Sequence, residues 1–326
     1  MLPDEGAGHA TGVADGAPDE AVARVARPRG SRRHGATHER SEMHEPAGEQ
    51  PGRPRRRKRS AGRNVPQSIA VGLGLVAVVL LSLYVVKAAF VGLASVAVLI
   101  ALWELAHAFR SRQVDVPVVP LGVGGVAMLV AAYAEGTGPL LGCFLATCAA
   151  ALVWRARSGP AGFVRDVTAA VFTAAYVPLL ASFAVLMLSA HDGADRVVAF
   201  VLAVVASDVG GFVAGVLWGR HPMSPTISPR KSWEGFAGSL VVGAATGAAS
   251  VPLLLDGPAW GGVLLGVLAV LTATAGDLTE SLLKRDLEIK DMGSLLPGHG
   301  GLMDRLDSLL PTAPVAYLVL DHVLNR

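Results

Sequence analysis

The chain has 326 residues, of which 52% are hydrophobic and 17% charged, with a mean hydropathy of +0.49 and a formal net charge of +2. A water-soluble domain of this length could hardly hold such a balance without exposing large apolar patches. The composition therefore excludes a soluble globular protein and predicts an all-α, polytopic integral membrane protein.

Residues 1 to 64 hold 13 of the 28 Lys and Arg residues, contain no long apolar run and are rich in Pro, Gly, Ala and Arg. Such a segment buries too little apolar surface to offset the entropy of ordering. We expect a disordered basic tail here and a membrane-embedded domain over residues 65 to 326. No cleavable signal is expected, since the first apolar segment follows the tail and would itself serve for targeting. The run Arg55, Arg56, Arg57, Lys58 and Arg59 suits either anionic headgroups or a topology-setting anchor.

An apolar run of about 20 residues crosses the hydrocarbon core as a helix. Runs of that kind begin near Gln67, Ala88, Val116, Leu140, Asp166, Arg196, Phe236, Trp260 and Ser308, which predicts about nine transmembrane helices. Between the first two, only Lys87 and a little Ala mark a boundary. With the tail in the cytoplasm, alternation puts Arg110, Arg112, Arg155, Arg157, Arg165, Arg220, Arg230, Lys231, Lys284, Arg285, Lys290 and Arg305 inside. Only Lys87, Arg196 and Arg326 fall outside, the bias of the positive-inside rule. Small residues such as Gly211, Gly215 and Gly219 would let helices approach closely. Cys143 and Cys148 have no nearby His and read as packing residues.

Between the sixth and seventh spans lies Ser224 to Gly235, SPTISPRKSWEG. The hydroxyls of Ser228 and Ser232, the Lys231 ammonium and a predicted helix N-terminus around Ser232 suit phosphate. Alone the pattern is weak, because Ser-Pro and Arg-Lys pairs are ordinary loop residues. At the end of the eighth span, Asp277 is followed by Glu280, Ser281 and Lys284 at spacings of three, four and seven, all on one helical face. An unpartnered ionisable residue within a span is costly and is a functional candidate by default. The bland alternative is a helix-end charge wetted by headgroups.

A polar island then runs from Ser281 to Asp307. Four cations (Lys284, Arg285, Lys290, Arg305) and five carboxylates (Asp286, Glu288, Asp291, Asp304, Asp307) surround a Pro297-Gly298-His299-Gly300-Gly301 turn. Cations beside carboxylates suit a phosphate and its metal. Asp277 and Asp304, from two different segments, are the expected ligands of a divalent ion, with Asp307 in reserve. Asp208, inside the sixth span, either approaches that metal site or neutralises a basic partner such as Lys284 or Arg285. His299 touches phosphate or shapes the turn, and the turn role is favoured for a lone His.

The island resembles the signature of the phosphatidate cytidylyltransferase family, the CDP-diacylglycerol synthases. That signature is S-x-L-K-R, four residues, K-D-x-G, two residues, L-P-x-H-G-G-L-x-D-R-L-D. It is matched at Ser281, Leu283, Lys284, Arg285, Lys290, Asp291, Gly293, Leu296, Pro297, His299, Gly300, Gly301, Leu302, Asp304, Arg305, Leu306 and Asp307. The loop is similar to the family's second stretch, S-P-x-K-S-x-E-G, at Ser228, Pro229, Lys231, Ser232, Glu234 and Gly235.

The resemblance implies the reaction CTP + phosphatidic acid → CDP-diacylglycerol + pyrophosphate, in a bacterial-type plasma membrane with the site facing the cytoplasm. It implies magnesium on the aspartates, a companion potassium ion, CTP, phosphatidic acid and membrane lipids as partners, no nucleic acid, and a homodimer. Lys284, Arg285, Lys290 and Arg305 would divide between the lipid phosphate and pyrophosphate. Asp291 and Asp307 would orient those cations, and Ser228, Lys231, Ser232, Ser281 and His299 would contact substrate. A phosphate monoester has a second pKa of about 6, so the lipid nucleophile needs no Ser-His-Asp arrangement. The rival readings are a related CTP-dependent enzyme, such as a polyprenol kinase or a CDP-ether-lipid synthase, and a transporter in which Asp208 and Asp277 bind the transported ion.

Overall fold

Lipid offers no partner to a free backbone N–H or C=O, so the apolar runs satisfy both internally as helices. In this computed structural model, which describes residues 65–293 and 301–324, the order begins α1 (Val65–Val85), α2 (Lys87–Arg110), α3 (Val118–Ala134), α4 (Thr137–Ala156) and α5 (Phe163–Ala174). A π-helical turn, Ala175–Leu179, leads into α6 (Leu180–Ser189) and then α7 (Gly193–Trp218). After the hairpin β1 (Pro222–Ser224) and β2 (Ser228–Ser232) come α8 (Trp233–Leu255), α9 (Ala259–Asp286), the short α10 (Met303–Leu306) and α11 (Leu309–Leu324). The expected tail, residues 1–64, lies outside the described residues.

Each of the nine predicted spans coincides with a helix. The fifth is α5 and α6 in one continuous run, Phe163–Ser189, with Pro178 accommodated in the π turn, where the wider backbone spacing tolerates a residue that lacks an N–H. Six are long and apolar enough to cross a membrane: α2, α4, the α5–α6 run, α7, α8 and α9. At 17 and 16 residues, α3 and α11 reach about 25 Å at about 1.5 Å per residue, near the lower limit for a span. The weakly marked first boundary falls at Val86, whose extended backbone separates α1 from α2. Val123, Leu145, Val241 and Leu253 are exposed on the outer surface, as expected of side chains that lipid covers.

The helices pack as two groups, α2 to α5 on one hand and α7, α8, α9 and α11 on the other, with α6 touching both. Glycines set the spacing within the second group. A Cβ on Gly262 would overlap the carbonyl oxygen of Gly247, and one on Gly266 would overlap that of Gly243, so α8 and α9 meet backbone to backbone. Replacing Gly262 by Val is expected to force them apart and destabilise the fold by about 1–3 kcal/mol. The check is a lower thermal midpoint in detergent with turnover per folded molecule retained, because Gly262 is distant in sequence from the polar island.

Charges sort to the two ends of the bundle. At one end, buried Arg155 donates from Nε to Asp166 Oδ2 at 2.8 Å and from Nη1 to the Gly159 carbonyl at 3.0 Å, while Asp166 Oδ1 accepts the Asp115 N–H at 3.3 Å. At the same end Arg112 pairs with Glu288 at 2.7 Å and Arg285 Nε donates to the Ile227 carbonyl at 2.7 Å. The loops following α2, α4, α7 and α9 are thus tied together there. At the other end Lys87 donates to the carbonyls of Ala190 and His191 at 2.7 and 3.2 Å, and the Tyr84 hydroxyl donates to Asp195 at 2.6 Å. A hairpin stands where the sequence predicts a plain loop. Its Ser, Pro, Arg and Lys residues carry no apolar alternation to announce a strand.

Candidate active site

The hairpin is held from its base. Ser232 has an extended backbone and its Oγ accepts the Gly235 N–H at 3.1 Å, capping α8. Glu234, in the first turn of α8, accepts the N–H groups of Arg220 and His221 at 3.1 and 3.2 Å and meets His221 Nδ1 at 2.5 Å. So fixed, β2 presents Lys231 to α9, where its Nζ lies 2.5 Å from Asp277 Oδ2.

Around that pair opens a cavity of about 410 Å³. Asp208 of α7, Lys231 and Ser232 of the hairpin, Asp277 of α9, and Asp304, Arg305 and Asp307 from the α10–α11 region all line it. A Cβ on Gly276 would overlap the Asp307 carbonyl oxygen, so glycine at this position lets the start of α11 reach α9. That approach sets the carboxyls of Asp277 and Asp307 beside each other, with Ser308 Oγ donating to Asp277 Oδ1 at 3.2 Å. Burial pushes the Asp307 carboxyl well above the usual carboxylate range, and the Asp277 carboxylate beside it pushes the same way.

Asp304 is differently engaged. It receives the Lys284 ammonium at 2.6 Å, the Gly301 N–H at 2.7 Å and the Met292 N–H at 3.2 Å. Burial alone would raise its pKa, but the Lys284 ammonium and the Gly301 N–H outweigh it and hold the carboxyl below its ordinary value. Lys284 also donates to Glu280 at 2.8 Å.

Of the expected site residues, Asp208, Lys231, Ser232, Asp277, Asp304, Arg305 and Asp307 come together on this cavity. Asp208 lies on the cavity with both Asp277 and the Lys231 ammonium, while Lys284 is engaged by Glu280 and Asp304 and Arg285 by the Ile227 carbonyl. Ser228 opens β2 opposite Ser224, and Ser281 lies half-buried on α9; neither lines the cavity. Lys290 is exposed, and Asp291 lines a separate depression with His107, Arg110 and Ser111. His299 lies outside the described residues.

Three groups beside the site escaped the sequence reading as functional candidates. Glu280 reads in sequence only as a neighbour on the Asp277 face, yet it is 3% exposed and its Oε1 has no hydrogen-bond partner among the described residues. The hydroxyl of Tyr176, in the π turn, is likewise buried and unpartnered, and faces Glu280, Asp307 and Asp277. Glu104 of α2 is 1% exposed and accepts the Met303 N–H at 2.9 Å. A lone carboxylate in an apolar helix is a signal in itself, and it could have found Glu104.

Comparison with known proteins gives this geometry a context. The Cytidylyltransferase family matches residues 66–323. The chain is 46% identical over 276 residues to a protein of Mycobacterium leprae named phosphatidate cytidylyltransferase, covering 80% of this chain and 88% of that one. It is 44% identical over 273 residues to proteins of the same name from Mycobacterium bovis, covering 80% and 89%, and Mycobacterium tuberculosis, covering 80% and 83%. With the family matched from the first span to the last, and with both recurrent stretches contributing side chains to one cavity, this chain belongs to the cytidylyltransferase family.

Proposed function

We propose that the cavity is where this chain transfers CMP from CTP to phosphatidic acid, releasing pyrophosphate and leaving CDP-diacylglycerol in the bilayer. The observation that carries this reading is the convergence of Lys231, Asp277 and Arg305 on one cavity at the cation-rich end of a helical bundle. Such a site admits a nucleotide from water and a lipid from the side. We place this end toward the cytoplasm of a bacterial-type plasma membrane, on the strength of the cation bias.

In the reaction, a phosphate oxygen of the lipid attacks the α-phosphorus of CTP, the bond to the bridging oxygen breaks, and that oxygen leaves with pyrophosphate. The nucleophile is already substantially ionised near neutral pH, so the residues need not remove a proton. Their task is to hold two polyanions together. Lys231 can exchange Asp277 for a phosphate oxygen, the Ser232 hydroxyl can donate while its oxygen caps α8, and Arg305 offers a fork to outer oxygens.

No group of three or more His, Cys, Asp and Glu residues forms a ready cation cage among the described residues, but magnesium on a nucleotide needs only one or two protein carboxylates. Two neighbouring acids, Asp277 and Asp307, fit that requirement, with Asp208 and Asp304 lining the same cavity. Asp277 would therefore hold the ion with Asp304, or with Asp307 where Lys284 keeps Asp304. Bound there, magnesium would supply charge neutralisation on the α-phosphate and the leaving group. A companion potassium ion would fall to Glu280, whose second oxygen is unpartnered among the described residues. A homodimer would use the apolar outer surface, and crosslinking in bilayers distinguishes a second copy from lipid there.

The test is conversion of radiolabelled CTP to a lipid-extractable product with phosphatidic acid in detergent, comparing the protein with Asp304→Asn. Magnesium-dependent product that falls by about 10²-fold or more in the variant is expected. Product that survives the substitution would move the ion to Asp277 and Asp307. Product formed only with an alcohol acceptor would replace phosphatidic acid by a polyprenol, the reading that the relatives' names disfavour.

A further inference from the structure

Glu104 is a buried acid for which the reaction has no direct use. It is 1% exposed and sits in α2 among apolar neighbours, the other ionisable groups of that helix being Lys87, His107 and Arg110. Its Oε2 accepts the Met303 N–H at 2.9 Å, while Oε1 has no hydrogen-bond partner among the described residues. Burying a carboxylate this way is costly. The surroundings of the carboxylate supply a reason.

The chain leaves α9, passes Met292 and Gly293, and returns through Gly301 and Met303. A Cβ on Gly293 would overlap Glu104 Oε1, and one on Gly301 would lie 2.7 Å from Glu104 Oε2 and 2.7 Å from the Gly293 nitrogen. Outgoing and returning strands therefore close around the Glu104 head, and both positions are glycine because the carboxylate fills the space that a side chain would take. Asp304 holds the same neck, accepting the N–H groups of both Met292 and Gly301. Two carboxylates from different helices thus brace one neck. Asp304 lines the cavity, and Glu104 does not.

We propose that Glu104 is a positioning residue whose carboxylate, by its reach rather than its charge, fixes the neck between Gly293 and Gly301 and so places Asp304 and Asp307 for the transfer. The inference rests on those two acids working in the cavity. A displacement of about 1 Å at reacting groups costs on the order of 10²-fold in rate, which sets the size of the effect.

The experiment uses full-length protein in lipid-containing micelles and measures kcat, KM for CTP and the thermal midpoint for Glu104→Gln, Glu104→Asp and Glu104→Ala. Glutamine keeps an acceptor of the same reach for the Met303 N–H, so Glu104→Gln is expected to hold kcat within about 3-fold. Glu104→Asp keeps the charge but is one carbon too short, and a loss of about 10²-fold in kcat is expected, well beyond any loss of folded protein. Gly293→Ala should impair turnover in the wild-type background and much less when combined with Glu104→Ala, because the clash is then gone. Wild-type turnover in Glu104→Asp, equal impairment in Glu104→Gln and Glu104→Asp, or an equal cost of Gly293→Ala in both backgrounds would each overturn the proposal. Asp304→Asn in the same assay separates the two readings. If it is inactive while Glu104→Asp is active, only the positioning role fails; if it is fully active, Asp304 has no part in the transfer and the ion rests on Asp277 and Asp307.

Discussion

Asp277→Asn is expected to lower CDP-diacylglycerol formation by about 10²–10³-fold, the loss typical of removing one preorganised charged contact from a phosphoryl or acyl transfer site. Asn occupies the same volume and keeps an oxygen for the Ser308 hydroxyl, now 3.2 Å from Asp277, so the α9–α11 junction should survive. What disappears is the negative charge that faces Lys231 at 2.5 Å and pairs with the Asp307 carboxyl. Turnover by the purified variant, followed across a magnesium titration, checks this. A variant that regains wild-type rate at high magnesium would show that Asp277 only tunes affinity for the ion. One that keeps its rate at all concentrations would remove Asp277 from the chemistry.

The second large effect concerns stability. Lys284 is 20% exposed and pairs with Glu280, which is 3% exposed, and with Asp304, which is 9% exposed. Lys284→Met keeps the alkyl stem and leaves two largely buried carboxylates facing each other without a cation. Breaking a buried ion pair from one side typically costs about 3–5 kcal/mol, so a thermal midpoint lower by many degrees is expected in detergent. Adding Glu280→Gln removes one of the orphaned charges and should restore part of the loss, a non-additivity diagnostic of direct contact. Equal midpoints for the single and double variants would show that the two acids are relieved by water rather than by Lys284. Lys284→Arg should not substitute fully, because a planar fork differs from a compact ammonium in what it can reach.

The places of the nine spans could be read from the chain because a span must be apolar over its whole length, a one-dimensional property. The cation bias is equally linear, and the two ends of the bundle carry the two sets of cations as alternation required. Lys231 and Asp277, which meet on the cavity, were likewise legible as candidates, since a Lys within a Ser-Pro loop and an Asp within a span are conspicuous against their surroundings. The hairpin was not legible, because its pairing of Pro222 with Ser232 is set by the grip of Glu234 on Arg220 and His221 and not by strand propensity. Nor were the engagement of Arg285 by a carbonyl, or the retreat of Ser228 and Ser281 from the cavity.

The sequence alone therefore determined the solvent this chain folds in, the order of its apolar helices, and the family signature with its cations and acids. Which acids meet was decided by tertiary structure: Asp277 touches Asp307 because Gly276 lets α11 approach, while Asp304 is turned to Lys284 and to the neck of its own loop. Glu104 stands almost 200 positions from its Met303 partner, a separation that no local pattern encodes. Helix formation is a local matter of hydrogen bonds between near neighbours, but a site is made by contacts between helices. Those are fixed only when small residues, buried charges and chain turns have settled how closely the helices pack.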